Sequence, residues 1–331
     1  MKVLVTGSDG FIGSHVVEEL VRSGHSVRAF ALYLSNGSWG WLDTLPAEIL
    51  SQIEVLAGDI RDEGFVDQSV LGCDAVIHLA ALIAIPYSYV APNAYVQTNS
   101  GGTMNVLNAC RRHGVARLVH ASTSEVYGTA QFVPISEAHP LQAQSPYSAS
   151  KMSADHMVDS YFNAFGLPTV VIRPFNTYGP RQSARAVIPT IITQIARGAK
   201  RIELGATTPT RDFSYVSDTA KGFIAGMSTT GIEGETFNLG MGTEISVGDT
   251  AALIAKTMNT EVEIVQDPAR FRPENSEVER LLSNNEKALN ILGWKPVFAG
   301  RDGLAKGLEQ TINWFLKPEN IAHYPRLGYV V

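Results

Sequence analysis

The sequence predicts a doubly wound α/β fold, in which a parallel sheet carries helices on both faces and is followed by a smaller lobe. A short apolar strand at residues 3–6 runs into a glycine-rich turn at residues 7–13, which opens a helix with one apolar face. Further apolar strands alternate with helical patterns up to about residue 180. The alternation then stops, which indicates a smaller C-terminal lobe.

The composition supports two packed units. A chain of 331 residues with 45% hydrophobic residues can fill both cores. We expect a first domain at residues 1–180, to which a strand near residues 236–240 returns, and a second lobe made mainly of residues 181–331. The net charge of -6 argues against a nucleic-acid partner. No apolar run approaches the roughly 20 residues of a spanning helix, so we expect no membrane partner.

The small number of cysteines fits a reducing cellular compartment. Cys73 and Cys110 are too few for a disulfide framework, and neither has a metal-type spacing with histidine, so we predict no metal site. Met1 and Lys2 lead straight into the first strand, which leaves no room for a signal peptide. We therefore expect a cytoplasmic protein.

The glycine-rich turn predicts a dinucleotide site. Gly7 permits a tight turn, Gly10 lets the backbone approach a diphosphate, and Gly13 allows close packing of the helix. The helix N-terminus offers free N–H groups and the positive end of its dipole to a phosphate. The other residues of the turn that we place in this site are Asp9, Phe11 and Ile12.

A second stretch carries candidate catalytic groups. The apolar strand at residues 118–121 ends in a run of small hydroxyl residues that suit a ligand. Ser145 can cap a helix that places Tyr147 and Lys151 on one face, four residues apart. A cation beside a phenol lowers the phenol's pKa from its usual value of about 10. The pair therefore predicts proton transfer near neutral pH.

These stretches together resemble one family. Residues 7–13 (Gly-Ser-Asp-Gly-Phe-Ile-Gly), 122–125 (Ser-Thr-Ser-Glu) and 147–151 (Tyr-Ser-Ala-Ser-Lys) are similar to the extended short-chain dehydrogenase/reductase family. Its members modify nucleotide-activated sugars, and the resemblance spans nearly the whole chain. It implies a Rossmann-type domain that binds NAD(P), a nucleotide-sugar-binding lobe, and a homodimer. The dimer of many relatives is built from two helices per subunit, which correspond to one within residues 93–113 and the one following Pro146.

The resemblance also implies cofactor contacts. The end of the second strand is expected to carry an acidic residue when NAD is the cofactor, but Ala31 stands there, so the usual rule gives no answer. On family grounds we predict NAD, and NADP stays open. The cofactor contacts implied outside the glycine-rich turn are Asp59, Ile60, Leu79, Ala80, Ala81, Asn99, Tyr147 and Lys151.

Several basic residues are implied to hold the substrate. The clearest is Arg211 in residues 210–216 (Thr-Arg-Asp-Phe-Ser-Tyr-Val), where the arginine of relatives binds the nucleotide diphosphate. Guanidinium groups match phosphate oxygens in charge and geometry. The full set of implied substrate residues is Asn176, Arg181, Arg185, Arg211 and Arg272.

The resemblance implies a first step in which Tyr147 removes the proton of a sugar hydroxyl as hydride passes to the nicotinamide. Lys151 lowers the pKa of Tyr147 and holds the ribose, and Thr123 bonds the reacting oxygen. Simple 4-epimerases generally lack a carboxylate at the position of Glu125. A base there can remove the C5 proton, so that the 6-hydroxyl leaves as water in a 4,6-dehydratase.

One departure leaves alternatives open. The best-known dehydratases read Thr-Asp-Glu, whereas this chain reads Thr123-Ser124-Glu125, which also occurs in UDP-glucuronate decarboxylases. Residues 38–42, 142–147 and 180–189 look most like the NAD-dependent 4,6-dehydratases of legionaminic acid biosynthesis.

We therefore predict a 4,6-dehydratase that acts on UDP- or GDP-linked N-acetylglucosamine. Glu125 serves as both base and acid in this hypothesis, relayed through Ser124 or water. A decarboxylase and a 4-epimerase are the alternatives. A non-catalytic redox sensor is a more distant one, because the catalytic set is intact.

Overall fold

The computed structural model describes residues 1–324, so the last seven residues of the predicted lobe lie outside the described part of the chain. Within it the strands β1 to β13 are, in chain order, Lys2–Thr6, Ser26–Leu32, Ile53–Gly58, Ala75–His78, Arg117–Ala121, Thr169–Pro174, Asn176–Tyr178, Arg201–Leu204, Thr210–Arg211, Phe213–Tyr215, Thr236–Leu239, Ile245–Ser246 and Glu263–Gln266.

The helices of the same residues alternate with these strands. Helices α1 to α13 are Phe11–Arg22, Ala47–Leu50, Glu63–Val70, Ile85–Val90, Pro92–Tyr95, Gly102–His113, Pro146–Phe165, Val187–Ala196, Val216–Ser228, Val247–Thr257, Glu286–Ile291, Gly300–Phe315 and Pro318–Ile321. A π-helical turn, Val96–Gly101, precedes α6, and short 3-10 helices span Gly40–Thr44, Ser124–Tyr127, Pro268–Arg270 and Glu274–Ser276. No helix within residues 1–324 combines the length and the apolar character needed to cross a membrane.

Seven strands form one parallel sheet in the order β11-β6-β5-β4-β1-β2-β3. This arrangement confirms the predicted doubly wound, Rossmann-type fold. The strand order reverses between β1 and β4, and ligands of such sheets bind in the crevice at the carboxyl ends of the strands near that point. Both the glycine-rich turn after β1 and the hydroxyl-rich segment after β5 lie at this edge.

Helices cover both faces of the sheet. Helices α1 and α9 pack together on one face, and α3, α6 and α7 pack on the other. Helix α7 begins at a capping box, in which Ser145 and Ser148 each bond the other's backbone, and it ends at Gly166 in the left-handed conformation (φ 66°). These local signals fix the start of α7, and hence the position of Tyr147 in its first turn.

The second lobe has its own apolar core. Helices α8, α10 and α12 pack around buried side chains that include Ile191, Ile254 and Leu308. Between parts of this lobe the chain crosses back to the main sheet as both α9 and β11, a longer return than the strand expected from the sequence. The main core also takes in Trp294, whose indole N–H donates to the backbone carbonyl of Asp218 at 2.8 Å.

A buried ion pair ties α7 to the sheet. Asp155 on α7 is 1% exposed, and its Oδ2 accepts hydrogen bonds from Arg173 Nη2 on β6 at 3.0 Å and from Ser122 Oγ at 2.7 Å. Arg173 Nη1 also donates to the hydroxyl of Tyr127 at 3.0 Å, and that hydroxyl donates to Asn238 Oδ1 on β11 at 2.8 Å. The network joins α7 to the carboxyl ends of three neighbouring strands.

We predict that Arg173→Met lowers the free energy of unfolding by about 3–5 kcal/mol, because it leaves the Asp155 carboxylate buried without its cation. Denaturant unfolding measures this loss. The matched control is Arg201→Met, which removes a pair with Glu263 whose side chains are 68% and 64% exposed. That change is expected to alter stability by less than about 1 kcal/mol. Equal losses in the two variants would contradict the structural role of the buried pair.

Candidate active site

The glycine-rich turn forms a close-packed backbone cradle. Gly7 has a φ of +68°, and a Cβ on it would lie 2.8 Å from the backbone nitrogen of Ala80. A Cβ on Gly13 would lie 2.0 Å from the carbonyl oxygen of Gly7. Gly10 caps α1 without a side-chain hydrogen bond, so the helix N-terminus presents its backbone N–H groups at the sheet edge. Phe11 and Ile12 begin the helix behind the cradle. These features fit the diphosphate of a dinucleotide.

The loop after β4 lies against this turn. The backbone N–H groups of Leu79 and Ala80 both donate to Thr6 Oγ1, at 3.1 and 3.2 Å. Ala81 follows them with a side chain too small to fill the crevice. The loop therefore carries only small side chains at residues 80 and 81, next to the glycine-rich turn.

Asn99 differs from the sequence expectation of a cofactor contact. It is fully buried, its Oδ1 accepts from the Leu82 N–H at 2.8 Å, and its Nδ2 donates to the carbonyl of Leu82 and to Ser150 Oγ, both at 2.9 Å. Because its amide is engaged inside the protein, Asn99 holds the loop after β4 against α7. Sequence reasoning missed this role because Ser150 lies 51 residues away in the chain.

The ends of β2 and β3 form the far side of the crevice. Asp59 accepts a hydrogen bond from Arg61 Nε at 2.9 Å, and the bonds from Arg61 hold the pKa of the Asp59 carboxyl below its usual value. Ile60 is buried and packs against Gly102 of α6. Strand β2 runs one residue further than expected, to Leu32, and Ala31 is fully buried in the core. An acidic residue at position 31 would be buried among apolar side chains, and the strand ends at Leu32, so no acidic residue ends β2.

Tyr147 and Lys151 are both buried at the start of α7. Burial raises the pKa of Tyr147 above its usual value, a hydrogen bond with Thr123 opposes the rise, and the charge of Glu125 adds to it. Lys151 Nζ donates to the carbonyl of Ala121 at the end of β5, at 2.7 Å. Burial lowers the pKa of Lys151 to about 8. Helix α7 thus brings a phenol and an amine to the end of β5, where Thr123 supplies a hydroxyl.

One electrostatic expectation was wrong. The sequence predicted that Lys151 lowers the pKa of Tyr147, but the pKa of Tyr147 is raised by burial. The ammonium lies at the carbonyl of Ala121 instead, and it therefore stabilises the end of β5 directly. The hydrogen bond with Thr123 is the interaction that favours the phenolate in this structure.

Glu125 belongs to a cluster of four charges, which we call the charge cluster: Glu125, Arg211, Arg272 and Glu277. Arg272 Nη1 lies 3.8 Å from Glu125 Oε1 and 3.7 Å from Glu277 Oε1, and Arg211 Nη2 lies 3.1 Å from Glu277 Oε1. The Glu125 side chain is 11% exposed, and its backbone N–H donates to Thr123 Oγ1 at 3.2 Å. The cluster places the candidate base beside two arginines suited to phosphate. Sequence reasoning missed Glu277, which lies in a stretch without a motif.

The remaining predicted substrate residues fall into different settings. The Oδ1 of Asn176 is buried and has no hydrogen-bond partner within residues 1–324, as expected of a group that meets a ligand. Arg185 is exposed. Burial raises the pKa of Tyr95 to about 12, and the charge of Arg185 opposes this rise. The Tyr95 ring packs edge-on against Tyr147, with ring centroids 6.3 Å apart.

Arg181 differs from the expectation of a substrate contact. It is 8% exposed, and its Nη2 lies 2.6 Å from Glu18 Oε2, while its Nη1 donates to Ser14 Oγ at 3.2 Å. Both partners belong to α1, 163 or more residues earlier in the chain. Arg181 therefore connects the start of the second lobe to helix α1, which follows the glycine-rich turn.

The sequence matches a known family over most of its length. The family model described as GDP-mannose 4,6 dehydratase matches residues 4–306. A dTDP-glucose 4,6-dehydratase of Streptomyces antibioticus is 34% identical over 319 residues, which cover 95% of this chain and 92% of the relative. A UDP-glucose 4-epimerase of Streptomyces lividans is 34% identical over 313 residues, covering 89% and 91% of the two chains.

Solved structures give the same result. Pal from Bacillus thuringiensis is 34% identical, with a TM-score of 0.84 and coverage of 95% of this chain and 99% of that one. DesIV, a dTDP-glucose 4,6-dehydratase of Streptomyces venezuelae solved as a double mutant with NAD and DAU bound, has a TM-score of 0.86 at 27% identity and covers 98% and 99%. The chain therefore belongs to the GDP-mannose 4,6-dehydratase family, the dehydratase and epimerase enzymes of the extended short-chain dehydrogenase/reductase group.

Proposed function

We propose that the protein is an NAD-dependent nucleotide-sugar 4,6-dehydratase that acts on UDP- or GDP-linked N-acetylglucosamine. The observation that carries the proposal is the position of the Glu125 carboxylate, which lies two residues after Thr123 in the segment following β5 and 3.8 Å from Arg272 Nη1. NAD, held by the glycine-rich turn, supplies the chemistry of taking hydride from C4 of the sugar and returning it to C6.

Tyr147 and Thr123 act on the 4-hydroxyl of the sugar. Thr123 holds the phenol by a hydrogen bond, and Tyr147 takes the proton of the 4-hydroxyl as C4 is oxidised. Lys151 has three N–H donors, of which one is used on Ala121, so two remain for a ribose or for the phenolate. Because C4 keeps its oxygen as a ketone in the product, Tyr147 does not return this proton to the sugar oxygen, and the phenol loses it to solvent.

Glu125 acts on C5 and on the leaving hydroxyl. A ketone at C4 acidifies the neighbouring C5–H, which a carboxylate can then remove. Arg272 Nη1 lies 3.8 Å from Glu125 Oε1 and forms an ion pair with the carboxylate. The protonated Glu125 is then the acid for the 6-hydroxyl, directly or through Ser124, which precedes it and is 3% exposed. Water leaves with the proton that Glu125 took from C5. With hydride delivered to C6, C5 then takes up a proton from solvent, which completes the 4-keto-6-deoxy sugar.

The second lobe holds the nucleotide diphosphate. Arg211 and Arg272 supply guanidinium groups beside the carboxylate of Glu125. Glu277 forms ion pairs with both arginines and holds them close together before the substrate binds. Asn176, with its free buried oxygen, is placed to accept a hydrogen bond from the sugar.

A 4-epimerase is the second candidate, because epimerases stand among the relatives at similar identity. A UDP-N-acetylglucosamine 4-epimerase of Methanobrevibacter ruminantium, solved with UDP-N-acetylmuramic acid, has a TM-score of 0.84 at 28% identity. An epimerase needs the C4 oxidation but no base at C5, so the Glu125 carboxylate favours the dehydratase.

The place in legionaminic acid biosynthesis and the cytoplasmic location stay predictions. Two free, buried cysteines, Cys73 and Cys110, support the predicted location.

We predict that Tyr147→Phe lowers turnover about 10²–10⁴-fold, since it removes the proton-transferring oxygen. Cofactor retained by the purified variant, released and measured by mass spectrometry, is expected to match wild type. The control is Tyr161→Phe on the same helix, which loses a hydrogen bond to Asn108 remote from the strand end. Near-normal turnover in Tyr147→Phe would contradict its assignment.

We predict that Glu125→Gln blocks deuterium incorporation at C5 and loss of water when the enzyme meets UDP- or GDP-linked N-acetylglucosamine in deuterated water. The wild type is expected to give a product lighter by one water, with deuterium at C5. Glu279→Gln removes an exposed carboxylate of the second lobe and is the control for the loss of one negative charge. Mass spectrometry and NMR follow both changes.

Other outcomes of this experiment would contradict the proposal. Exchange at C5 that survives in Glu125→Gln would exclude Glu125 as the base. An isomer of unchanged mass from the wild type would support the epimerase. Release of carbon dioxide from UDP-glucuronate, with no reaction of the N-acetylglucosamine substrates, would support the decarboxylase.

We predict a homodimer built from α6 and α7 of each subunit, which lie side by side. Exposed apolar side chains before and within α6, Val96 at 53% and Met104 at 42%, support such an interface. Light scattering at micromolar concentration is expected to give the dimer mass, and Met104→Glu to give the monomer mass. Val297→Glu, at a 70% exposed position of the second lobe, is the control. A wild-type monomer would contradict the prediction.

A further inference from the structure

The end of β2 lacks an acidic side chain of its own. Ala31 is fully buried in the main core, while Leu32 and Tyr33 beyond it are 48% and 67% exposed. In dinucleotide-binding sheets of this type, an acidic residue near this strand end accepts hydrogen bonds from the ribose 2′-hydroxyl of NAD. The strand itself therefore leaves the choice between NAD and NADP unexplained.

A carboxylate from the glycine-rich turn reaches this place. The Ser8 N–H donates to the carbonyl of Phe30 at 3.2 Å, which holds the turn against the last residues of β2. Burial raises the pKa of the Asp9 carboxyl, and the neighbouring backbone of Leu32 at the end of β2 opposes the rise. Asp9 thus lies between the diphosphate cradle and the end of β2, where the ribose of a bound dinucleotide would lie.

The backbone of Asp9 is held from the other side as well. Its carbonyl oxygen accepts from the N–H of Trp41 at 3.0 Å, and a Cβ on Gly40 would lie 2.6 Å from that oxygen. Trp41 packs in turn on Trp314 and Tyr324 of the second lobe, with ring centroids 5.6 and 5.9 Å away. The backbone N–H of Trp41 therefore holds the backbone of Asp9, while the Trp41 ring packs against the second lobe.

The charges nearby do not favour an additional phosphate. Asp59 ends the neighbouring β3, and Arg61 is bound to the Asp59 carboxylate through Nε at 2.9 Å. A 2′-phosphate carries close to two negative charges and needs an unengaged cation, whereas a 2′-hydroxyl donates readily to a carboxylate. Two carboxylates and one paired guanidinium suit the hydroxyl.

We propose that Asp9 takes the place of the missing strand-end acid: it recognises the 2′-hydroxyl of the adenosine ribose and excludes the 2′-phosphate of NADP. The inference rests on the dinucleotide site of the proposed function and not on which sugar reaction follows. A binding measurement can therefore fail while the dehydratase assignment stands, and the reverse also holds.

The test is a competition that does not use activity. Purified protein is incubated with an equimolar excess of NAD and NADP, separated from free nucleotide, and the retained cofactor is released and quantified by mass spectrometry. Wild type is expected to retain NAD over NADP by about tenfold or more, the effect of a hydrogen bond to a charged group. Asp9→Asn keeps the side-chain shape and is expected to reduce that ratio about tenfold or more.

Three further variants sharpen the result. Asp9→Ser removes the charge with a smaller side chain and is expected to lose the preference in the same way. Glu48→Gln removes an exposed charge from the same region and is expected to leave the ratio unchanged. Asp59→Asn tests the other carboxylate of the crevice. The proposal would be overturned if the wild type retained NADP, or if the ratio of NAD to NADP were unchanged in both Asp9 variants. A loss of the NAD preference in Asp59→Asn alone would overturn it as well.

Discussion

The carboxylate of Asp155 is the point on which the catalytic geometry depends. It lies one helical turn after Lys151 and is bonded by Arg173 and by Ser122, so that α7 is fixed to β5 and β6 at their carboxyl ends. Tyr147 is in the first turn of that helix, and its position relative to the end of β5 follows from this attachment. A buried carboxylate with charged and hydroxyl donors is stable in an apolar interior only while all of these partners are present.

The charge cluster forms a second constraint, between the sheet edge and the second lobe. Glu125 belongs to the segment after β5, whereas Arg211, Arg272 and Glu277 come from the lobe. Each arginine has an acidic neighbour, so no single charge of the cluster is buried without compensation. A diphosphate that binds the arginines would change the surroundings of Glu125 directly. Binding of the nucleotide and the reaction at the sugar are thus linked through the same side chains.

The sequence predicted those features of the fold and the site that are determined by local patterns of residues. Two parts of the chain depend on neighbours within a few residues. They are the first strand with its glycine-rich turn and helix, and the capped helix that carries Tyr147 and Lys151. The roles of Asn99 and Arg181 depend on partners 51 and 163 or more residues away, and Asp9 reaches the end of β2 only because the sheet aligns them. Such contacts leave no periodic pattern in one sequence. The raised pKa of Tyr147 likewise reflects its burial, which spacing alone does not give.

In the proposed reaction, the hydrogen removed at C4 is stored and returned to C6 of the same sugar. Substrate with deuterium in place of hydrogen at C4 of the UDP- or GDP-linked N-acetylglucosamine tests it directly. NMR of the product is expected to show the deuterium at C6, with a ketone at C4. Deuterium that stays at C4 in an isomerised sugar, or that is lost to water, would contradict the account.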